Sequence, residues 1–176
     1  MSDKTKVITG KVRFCYTHVW EMAKSENGRE CFSVSILIPK DDKETLEKIN
    51  IAVNAAYDEG LDKLKGKAKT APAFETIKMP LRDGDTKEND EDGVYSNTWY
   101  LTATSTYAPG IIDADKSYIT DHDEFYSGCY GRASINFYAY NSNGNKGIAC
   151  GLRHLQKLED GEKLGSASSA LDDFAD

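Results

Sequence analysis

The fold is decided by residues 130–155, which read YGRASINFYAYNSNGNKGIACGLRHL. From Tyr130 to Tyr140 apolar and polar side chains alternate, which is the period of a strand with one buried face. The inward face takes Ala133, Ile135, Phe137 and Ala139, and the outward face takes Arg132, Ser134, Asn136, Tyr138 and Tyr140. The NSNGN segment at 141–145 predicts a hairpin turn, and Lys146 to Leu155 predicts the returning strand.

A second hairpin is predicted toward the N-terminus. Between Val7 and Trp20 alternate positions are apolar or aromatic, which is typical of a half-buried strand. One face of that strand is expected to carry Val12, Phe14, Tyr16, His18 and Trp20. After the turn residues SENG at 25–28, a second strand is expected to end at Pro39. Its buried face takes Phe32, Val34, Ile36 and Ile38.

The middle of the chain predicts one helix and the remaining strands. Helical spacing of apolar residues begins after Asp41, and the helix is expected to end near Gly60 or Gly66. A short strand over 77–82 and a long strand over 94–106 bring the total to five or six antiparallel strands. Because only one of the predicted strands is followed by a helix, we do not expect a parallel doubly wound sheet. We expect a mainly β fold for residues 1–160, a β-barrel with one helix that suits the oligonucleotide/oligosaccharide-binding fold (OB-fold).

Charge is unevenly distributed along the 176 residues, whose formal net charge is −7. Three segments, 83–93, 113–124 and 159–176, hold 17 acidic residues and 3 lysines, and the rest of the chain holds 19 basic against 12 acidic residues. A basic body with acidic loops and an acidic tail is therefore expected. No apolar run is long enough for a membrane span and no signal peptide is evident. With four scattered cysteines and no C-x-x-C pair, the sequence predicts a reduced, cytoplasmic protein.

The outward face of residues 132–140 is the strongest functional clue. A strand that only packs a core does not need an arginine and two tyrosines on its outer side. Bases stack on aromatic rings and basic side chains hold phosphates, so the face predicts nucleic-acid binding. The candidate DNA-binding residues are Lys11, Arg13, Tyr16, Trp20, Tyr100, Arg132, Asn136, Tyr138, Tyr140, Lys146 and Arg153. Tyrosine-rich outer faces also occur in ordinary sheets, so a purely structural face stays open.

The sequence carries no familiar catalytic motif. It has no G-x-S-x-G, no H-E-x-x-H and no glycine-rich phosphate loop, so we expect neither an enzyme nor a cofactor. A calcium loop opening at Asp83 fails because Lys87 stands where an oxygen ligand is needed. Paired acids leave a metal-dependent nuclease as an alternative, although solvated loop acids are the favoured interpretation and no metal is predicted. The acids in question are Asp113, Asp115, Asp121 and Asp123.

Three segments resemble a known protein family. They are PGIID at 109–113, FYSGCYGRASINFYAYN at 125–141 and GNKGIACGL at 144–152, and KVRF at 11–14 and SVSILIPK at 33–40 look like the family's opening hairpin. The family is a group of bacteriophage single-stranded DNA-binding proteins with an OB-fold, formerly described as a domain of unknown function. In this chain Gly131 stands where a larger residue is expected, which predicts a bend or bulge.

The resemblance implies sequence-tolerant binding of single-stranded DNA, which the protein coats and protects during phage replication, recombination or repair in the host cytoplasm. It implies no catalysis and no metal. Residues 161–176 are expected to form a flexible acidic tail that recruits replication or recombination proteins. The expected contacts in the tail are Leu171, Asp172, Asp173, Phe174 and Asp176. A phage structural or adaptor module whose tyrosine face contacts protein is the alternative.

Overall fold

The computed structural model describes residues 3–24, 28–87 and 93–164. The strands are β1 (Lys6–Ile8), β2 (Val12–Lys24), β3 (Glu30–Pro39), β4 (Arg82–Asp83), β5 (Thr98–Ser105), β6 (Gly110–Ile112), β7 (Tyr130–Ser142) and β8 (Asn145–Glu159). The helices are α1 (Lys43–Glu59) and α2 (Leu61–Lys65), and short 3-10 turns occupy Asp3–Thr5, Phe74–Thr76 and Gly84–Thr86.

Five of the strands close a barrel. Strand β2 pairs with β3, β3 with β5, β5 with β8, β8 with β7, and β7 again with β2. Strands β1, β4 and β6 extend the sheet beside β7, β5 and β8. The predicted mainly β barrel with one main helix is therefore confirmed.

The strand count and two pairings differ from the expectation of five or six antiparallel strands. The described residues contain eight strands, because β1, β4 and β6 are only two or three residues long and such short strands carry no readable alternation. The pairings of β8 with β5 and with β6 are parallel. Barrel closure brings these strands together from distant parts of the chain, which local patterning does not record.

Both predicted hairpins form, and their inward faces make the core. The β7–β8 hairpin pairs antiparallel from Tyr130 to Ser142, and β3 lines up with β2 as expected. The largest fully buried side chains include Phe14, Phe125, Phe137, Ile36, Ile38, Leu101 and Ile135. Cys15, Cys129 and Cys150 are buried, whereas Cys31 is half-buried, and none of these four described cysteines forms a disulfide.

The helix begins and ends where its sequence predicts. The side chain of Asp42 accepts a hydrogen bond from the backbone N–H of Thr45 and so caps α1. Both expected ends are used, since Gly60 caps α1 and Gly66 caps α2. Helix α1 packs Ile49, Ala52, Val53 and Ala56 into the core. A Cβ on Gly60 would lie 2.3 Å from the Cβ of Ala139, so only glycine permits this close approach between the helix end and β7.

The predicted single face of β2 is wrong beyond Phe14. A bulge between Cys15 and His18 breaks the register with β3, and Tyr16 adopts a positive φ of 48°. Cys15 and Val19 are buried as a result, while Tyr16 and His18 turn outward. A bulge inserts one extra residue and exchanges the two faces of the strand, which alternation alone does not predict.

Gly131 behaves as its position in the sequence suggests. The register of β7 with β8 shifts between Tyr130 and Gly131, so the expected bulge is confirmed. A Cβ on Gly131 would lie 1.9 Å from the carbonyl oxygen of Gln156, which excludes any side chain there.

The predicted short strand at 77–82 is reduced to a bridge between Lys78 and Gly147 and to the two residues of β4. No helix in the described part of the chain has the length and apolar character needed to cross a membrane.

Candidate nucleic-acid interface

An open cleft of about 680 Å³ crosses the outer face of β3, β5 and β8. We call it the main cleft. Its polar and aromatic lining comprises His18, Lys24, Cys31, Ser33, Lys78, Arg82, Tyr100, Thr102, Thr104 and Tyr140, with Ala149 and neighbouring apolar groups beneath. Tyr138, 41% exposed, adjoins it through a hydrogen bond to the side chain of Thr104. The cleft thus joins side chains from both hairpins and from β5.

The register of the barrel explains why these side chains meet. Ser33 lies opposite Thr104, and Thr104 lies opposite Gly151 of β8. Further along the same face, Tyr138 lies opposite Ala149 and Tyr140 opposite Gly147. Because side chains alternate along a strand, these residues all leave the barrel on its outer side.

Small residues on β8 form the floor of this face. Gly147, Ala149 and Gly151 occupy alternate positions and present almost no side chain. A Cβ on Gly147 would lie 2.8 Å from the hydroxyl of Tyr140 and 2.7 Å from the carbonyl oxygen of Lys78. The side chain of Tyr140 therefore packs directly over Gly147, where there is no space for a larger residue.

The charge of the main cleft is positive. Lys24, Lys78 and Arg82 line it, and no aspartate or glutamate does so among the residues that the structure describes. The Nζ atom of Lys78 donates to the Oδ1 atom of Asn145 at 2.8 Å, a neutral partner, and no carboxylate of the described residues forms an ion pair with Lys78. Arg82 lies opposite Tyr100 in the register of β4 and β5. Cations in a concave site attract anions more strongly than cations on a flat surface.

Tyr100 also contacts a tyrosine outside the main cleft, Tyr95. Its ring meets the ring of Tyr95 edge to face, with the ring centres 4.9 Å apart. The Nζ atom of Lys87 lies 4.8 Å from the centre of the Tyr95 ring and 5.5 Å from that of the Tyr100 ring. Burial raises the pKa of Tyr95, whose hydroxyl contacts the Sγ atom of Cys15 at 3.1 Å. Burial also raises the pKa of Tyr138. Both hydroxyls are therefore neutral at physiological pH and do not repel an anion.

Comparison with known proteins identifies the family. The family model described as the ssDNA-binding protein of Enterobacter phage Enc34 matches residues 5–176. The chain belongs to this family. A curated relative, putative protein p50 of Acyrthosiphon pisum secondary endosymbiont phage 1, is 30% identical over 179 residues, covering 97% of this chain and 93% of p50. The resemblance noted in the sequence is confirmed at the level of the family.

Solved structures of the Enc34 protein have the same fold. A C-terminally truncated form aligns with a TM-score of 0.73 at 20% identity, covering 92% of this chain and 90% of the other. The Enc34 protein in complex with ssDNA aligns with a TM-score of 0.69 at 22% identity, covering 93% and 91%. These similarities confirm the OB-fold expected from the sequence.

The predicted DNA-binding residues of this family member fall into separate groups. Tyr100, Tyr138 and Tyr140 meet at the main cleft. Arg132 lies on the same face of β7 but lines a second cleft of about 310 Å³, together with His154 and Tyr118. Asn136 lies between the two clefts, where its Oδ1 atom is 2.6 Å from the place a Cβ on Gly151 would take.

Lys11 and Arg13 lie elsewhere, in a group that we call the Tyr130 cluster (Lys11, Arg13, Tyr130 and Glu159). Lys11 forms an ion pair with Glu159, and its Nζ atom lies 5.3 Å from the centre of the Tyr130 ring. Arg13 donates to the carbonyl oxygens of Gly128 and Glu162 at 3.1 Å and 3.0 Å and lies 5.2 Å from the same ring. Both cations already have protein partners.

The other predicted residues also lie outside the main cleft. Trp20 stacks on His122 with ring centres 4.4 Å apart, and its Nε1–H donates to the carbonyl oxygen of Phe125. Tyr16 is 61% exposed at the β2 bulge. Lys146 alternates with Gly147 and so leaves the sheet on the opposite face. Arg153 is the extra residue where β8 shifts register against β7.

The acids that suggested a metal site have structural partners. Asp113 Oδ1 accepts from the N–H groups of Asp115 and Ser117, and Asp121 Oδ1 accepts from that of Asp123. Such contacts close tight loop turns. Within the described ranges, no group of three or more potential ligands is placed to hold a metal ion. The tail residues Leu171, Asp172, Asp173, Phe174 and Asp176 lie outside the described residues.

Sequence reasoning missed the cations of the main cleft. Lys24 ends β2, and Lys78 and Arg82 lie in a segment with little regular structure. One signal was present, because Lys78 and Arg82 are four residues apart in the predicted short strand and would share a face. Nothing in the local pattern indicates that this segment lies beside Tyr140.

Proposed function

We propose that this family member binds single-stranded DNA in the main cleft without preference for base sequence. The observation that carries the proposal is a concave face with two tyrosines in its lining, a third beside it, and three cations that form no ion pair and meet no lining carboxylate within the described ranges. Phosphates pair with Lys24, Lys78 and Arg82, and bases stack on Tyr100, Tyr138 and Tyr140. A relative of the same fold has been solved in complex with ssDNA, which supports this assignment.

Stacking and charge explain the expected tolerance of sequence. Every base offers a flat π-face to a tyrosine ring, so stacking does not select one base over another. Duplex DNA keeps its bases stacked inside the helix, so its bases are not available to these rings. Preference for single strands therefore follows from the tyrosines, whereas affinity at low salt follows from the cations.

The biological role that fits this binding is protection of phage DNA. The protein coats single strands during replication, recombination or repair in the host cytoplasm and catalyses no reaction. Residues 161–176 recruit replication or recombination proteins through Leu171, Asp172, Asp173, Phe174 and Asp176, where carboxylates flank two apolar anchors. Sequence likeness to the phage family supports this role.

A binding titration tests the proposal directly. Fluorescence anisotropy of a labelled poly-thymidine oligonucleotide is measured at low and high salt, beside a duplex of equal length and with magnesium in one arm. We expect tight, salt-sensitive binding of the single strand, weak duplex binding and no cleavage. Absence of binding at low salt contradicts the proposal and favours a protein-binding adaptor, whereas cleavage with magnesium favours a nuclease.

The half-buried Cys31 allows the site to be mapped. Cys31 and Cys150 both line the main cleft, but Cys150 is buried, as are Cys15 and Cys129. A thiol reagent in the native protein is expected to label Cys31 first, and bound single-stranded DNA is expected to slow that labelling. The variant Cys31→Ser is the control, because it should lose the fast-labelled site. Labelling of Cys31 at an unchanged rate under saturating DNA places the binding site elsewhere.

A further inference from the structure

The second cleft has the chemistry of a nucleotide site. Arg132, His154 and Tyr118 line it together with Ile8, Ile112 and Gln156, and its volume is about 310 Å³. Among the described residues that line it, none is an aspartate or a glutamate. The site therefore offers hydrogen-bond donors, an exposed aromatic ring and an apolar wall, which together suit a phosphate and a base.

The hydrogen bonds of Arg132 leave part of its guanidinium group available. Its Nε atom donates to the carbonyl oxygen of Thr9 at 3.1 Å, which fixes the side chain beside the cleft. No carboxylate of the described residues forms an ion pair with it. The two terminal amino groups can therefore donate to a phosphate, in the bidentate geometry that arginine favours.

His154 and Tyr118 add a donor and a stacking surface. The backbone N–H of Gly110 donates to Nδ1 of His154 at 3.2 Å, so the neutral ring carries its proton on Nε2. Tyr118 is 77% exposed although its backbone bridges Ile112, which holds the tyrosine at the edge of the cleft. An exposed ring whose backbone is anchored beside the cleft is suited to stacking on a base.

One continuous face connects the two clefts. The outer side of β7 carries these polar groups in one row. Asn136 lies two residues from Tyr138, and Arg132 lies four residues beyond Asn136. Lys6 of β1 lies opposite Asn136, and it is exposed. At about 3.3 Å per residue, the distance from Tyr138 to Arg132 is roughly 20 Å. A cation therefore lies about a third of the way along this path, nearer to Tyr138 than to Arg132.

We propose that a single DNA strand held in the main cleft continues along the outer face of β7 and β8 into the second cleft. There Arg132 binds a phosphate and Tyr118 stacks on a base. This inference rests on the proposed function and adds a second subsite to it. Because one strand joins both subsites, the second contact forms at high effective concentration, and only when the strand is long enough.

The length of the oligonucleotide provides the test. OB-folds occupy about 4–16 nucleotides, so poly-thymidine of about 4 residues held in the main cleft is too short to cover the roughly 20 Å to Arg132 as well, whereas one of about 16 reaches both clefts. For the longer strand we expect Tyr118→Ala to weaken binding about 5- to 150-fold, as the loss of one stacked base predicts. For the shorter strand we expect no change. Tyr118→Phe keeps the ring and should bind like the unaltered protein.

Arg132→Gln tests the phosphate contact independently. It should reduce the salt dependence of binding by about 0.7 in the logarithmic slope for the longer strand only. Lys48→Ala on α1 removes the same charge far from both clefts, where Lys48 pairs with Glu44, and serves as the matched control. Since Arg132 also bonds Thr9, thermal unfolding of each variant is recorded, and the highly exposed Tyr118 gives a variant that is expected to fold.

Two results overturn the inference. Equal loss of binding at both lengths assigns Tyr118 and Arg132 to the main site or to the fold, and unchanged binding of the longer strand removes the second subsite. Either result leaves binding in the main cleft intact. If the unaltered protein binds neither strand, the proposed function itself fails, so the two failures are distinguishable.

Discussion

Arg82 and Arg13 illustrate how two similar side chains acquire different roles. Arg82 lines the main cleft opposite Tyr100, and no ion pair of the described residues includes it. Arg13 bonds two backbone carbonyl oxygens and lies over the Tyr130 ring. A cation that the protein has already paired stabilises the fold, whereas a cation without a partner is available to a phosphate. The comparison teaches that, under the proposed function, protein partners rather than sequence position separate binding cations from structural ones.

The largest effect is expected from the tyrosines of the main cleft. Each base stack contributes about 1–3 kcal/mol, so Tyr138→Ala and Tyr140→Ala should each weaken single-strand binding about 5- to 150-fold. The matched control is Tyr130→Ala, which removes a ring from the Tyr130 cluster and should leave affinity nearly unchanged. Anisotropy titrations measure both. Equal losses from Tyr130 and from the cleft tyrosines would abolish the distinction between the two regions.

The two arginines should separate affinity from stability. Arg82→Ala is expected to lower the logarithmic salt slope of binding by about 0.7, because one phosphate contact is lost. Arg13→Ala is expected to leave that slope unchanged and to lower the free energy of unfolding by about 1–2 kcal/mol, through lost hydrogen bonds and a lost cation–π contact. Salt titrations and denaturant unfolding provide the two readouts. A changed slope in Arg13→Ala would show that the Tyr130 cluster contacts DNA.

The smallest effect concerns Lys40, another cation with protein partners. It bonds Asp83 and Asp85 at 2.7 Å and 2.6 Å, and Asp85 also accepts from the N–H of Asn97. The hydrogen bond from Lys40 holds the pKa of Asp83 below its ordinary value of 3.8, and that from Asn97 does the same for Asp85. These contacts therefore stabilise the loop at pH values above 3.8, and they are lost as the pH falls through the lowered pKa values of Asp83 and Asp85.

An NMR titration of the Asn97 amide measures this loss. We expect a midpoint below 3.8 in the unaltered protein and a shift toward 3.8 in Lys40→Ala. At neutral pH the substitution should leave DNA affinity unchanged, since Lys40 does not line the main cleft. A large affinity loss in Lys40→Ala would place this cation with Arg82 rather than with Arg13.

Local patterning predicted those parts of the fold that depend on neighbouring residues. The alternation of β7 and the turn at 141–145 predicted the hairpin, the change to helical spacing after Asp41 predicted the start of the helix, and Gly60 and Gly66 marked the helix ends. The β2 bulge was not predictable, because one extra residue exchanges the faces without leaving a compositional mark.

The candidate site was predictable only in part, for a related reason. Tyr138 and Tyr140 could be assigned to an outer face because they alternate with buried residues within a single strand. Lys24, Lys78 and Arg82 join them only because the barrel closes, which brings strand ends and irregular segments to one cleft. Conversely, Lys11 and Arg13 alternate as binding residues would, but their partners Glu159 and Glu162 lie almost 150 positions away in the chain.

The closed ring of strands also determines when the main cleft is complete during synthesis. The hairpins β2–β3 and β7–β8 each join neighbouring segments, but closure pairs Val12 with Gly131 across more than a hundred residues. Such distant pairing folds slowly relative to local hairpins. Since the main cleft needs both hairpins, a nascent chain that lacks β8 has no complete cleft, and under the proposed function DNA binding begins only after β8 has left the ribosome.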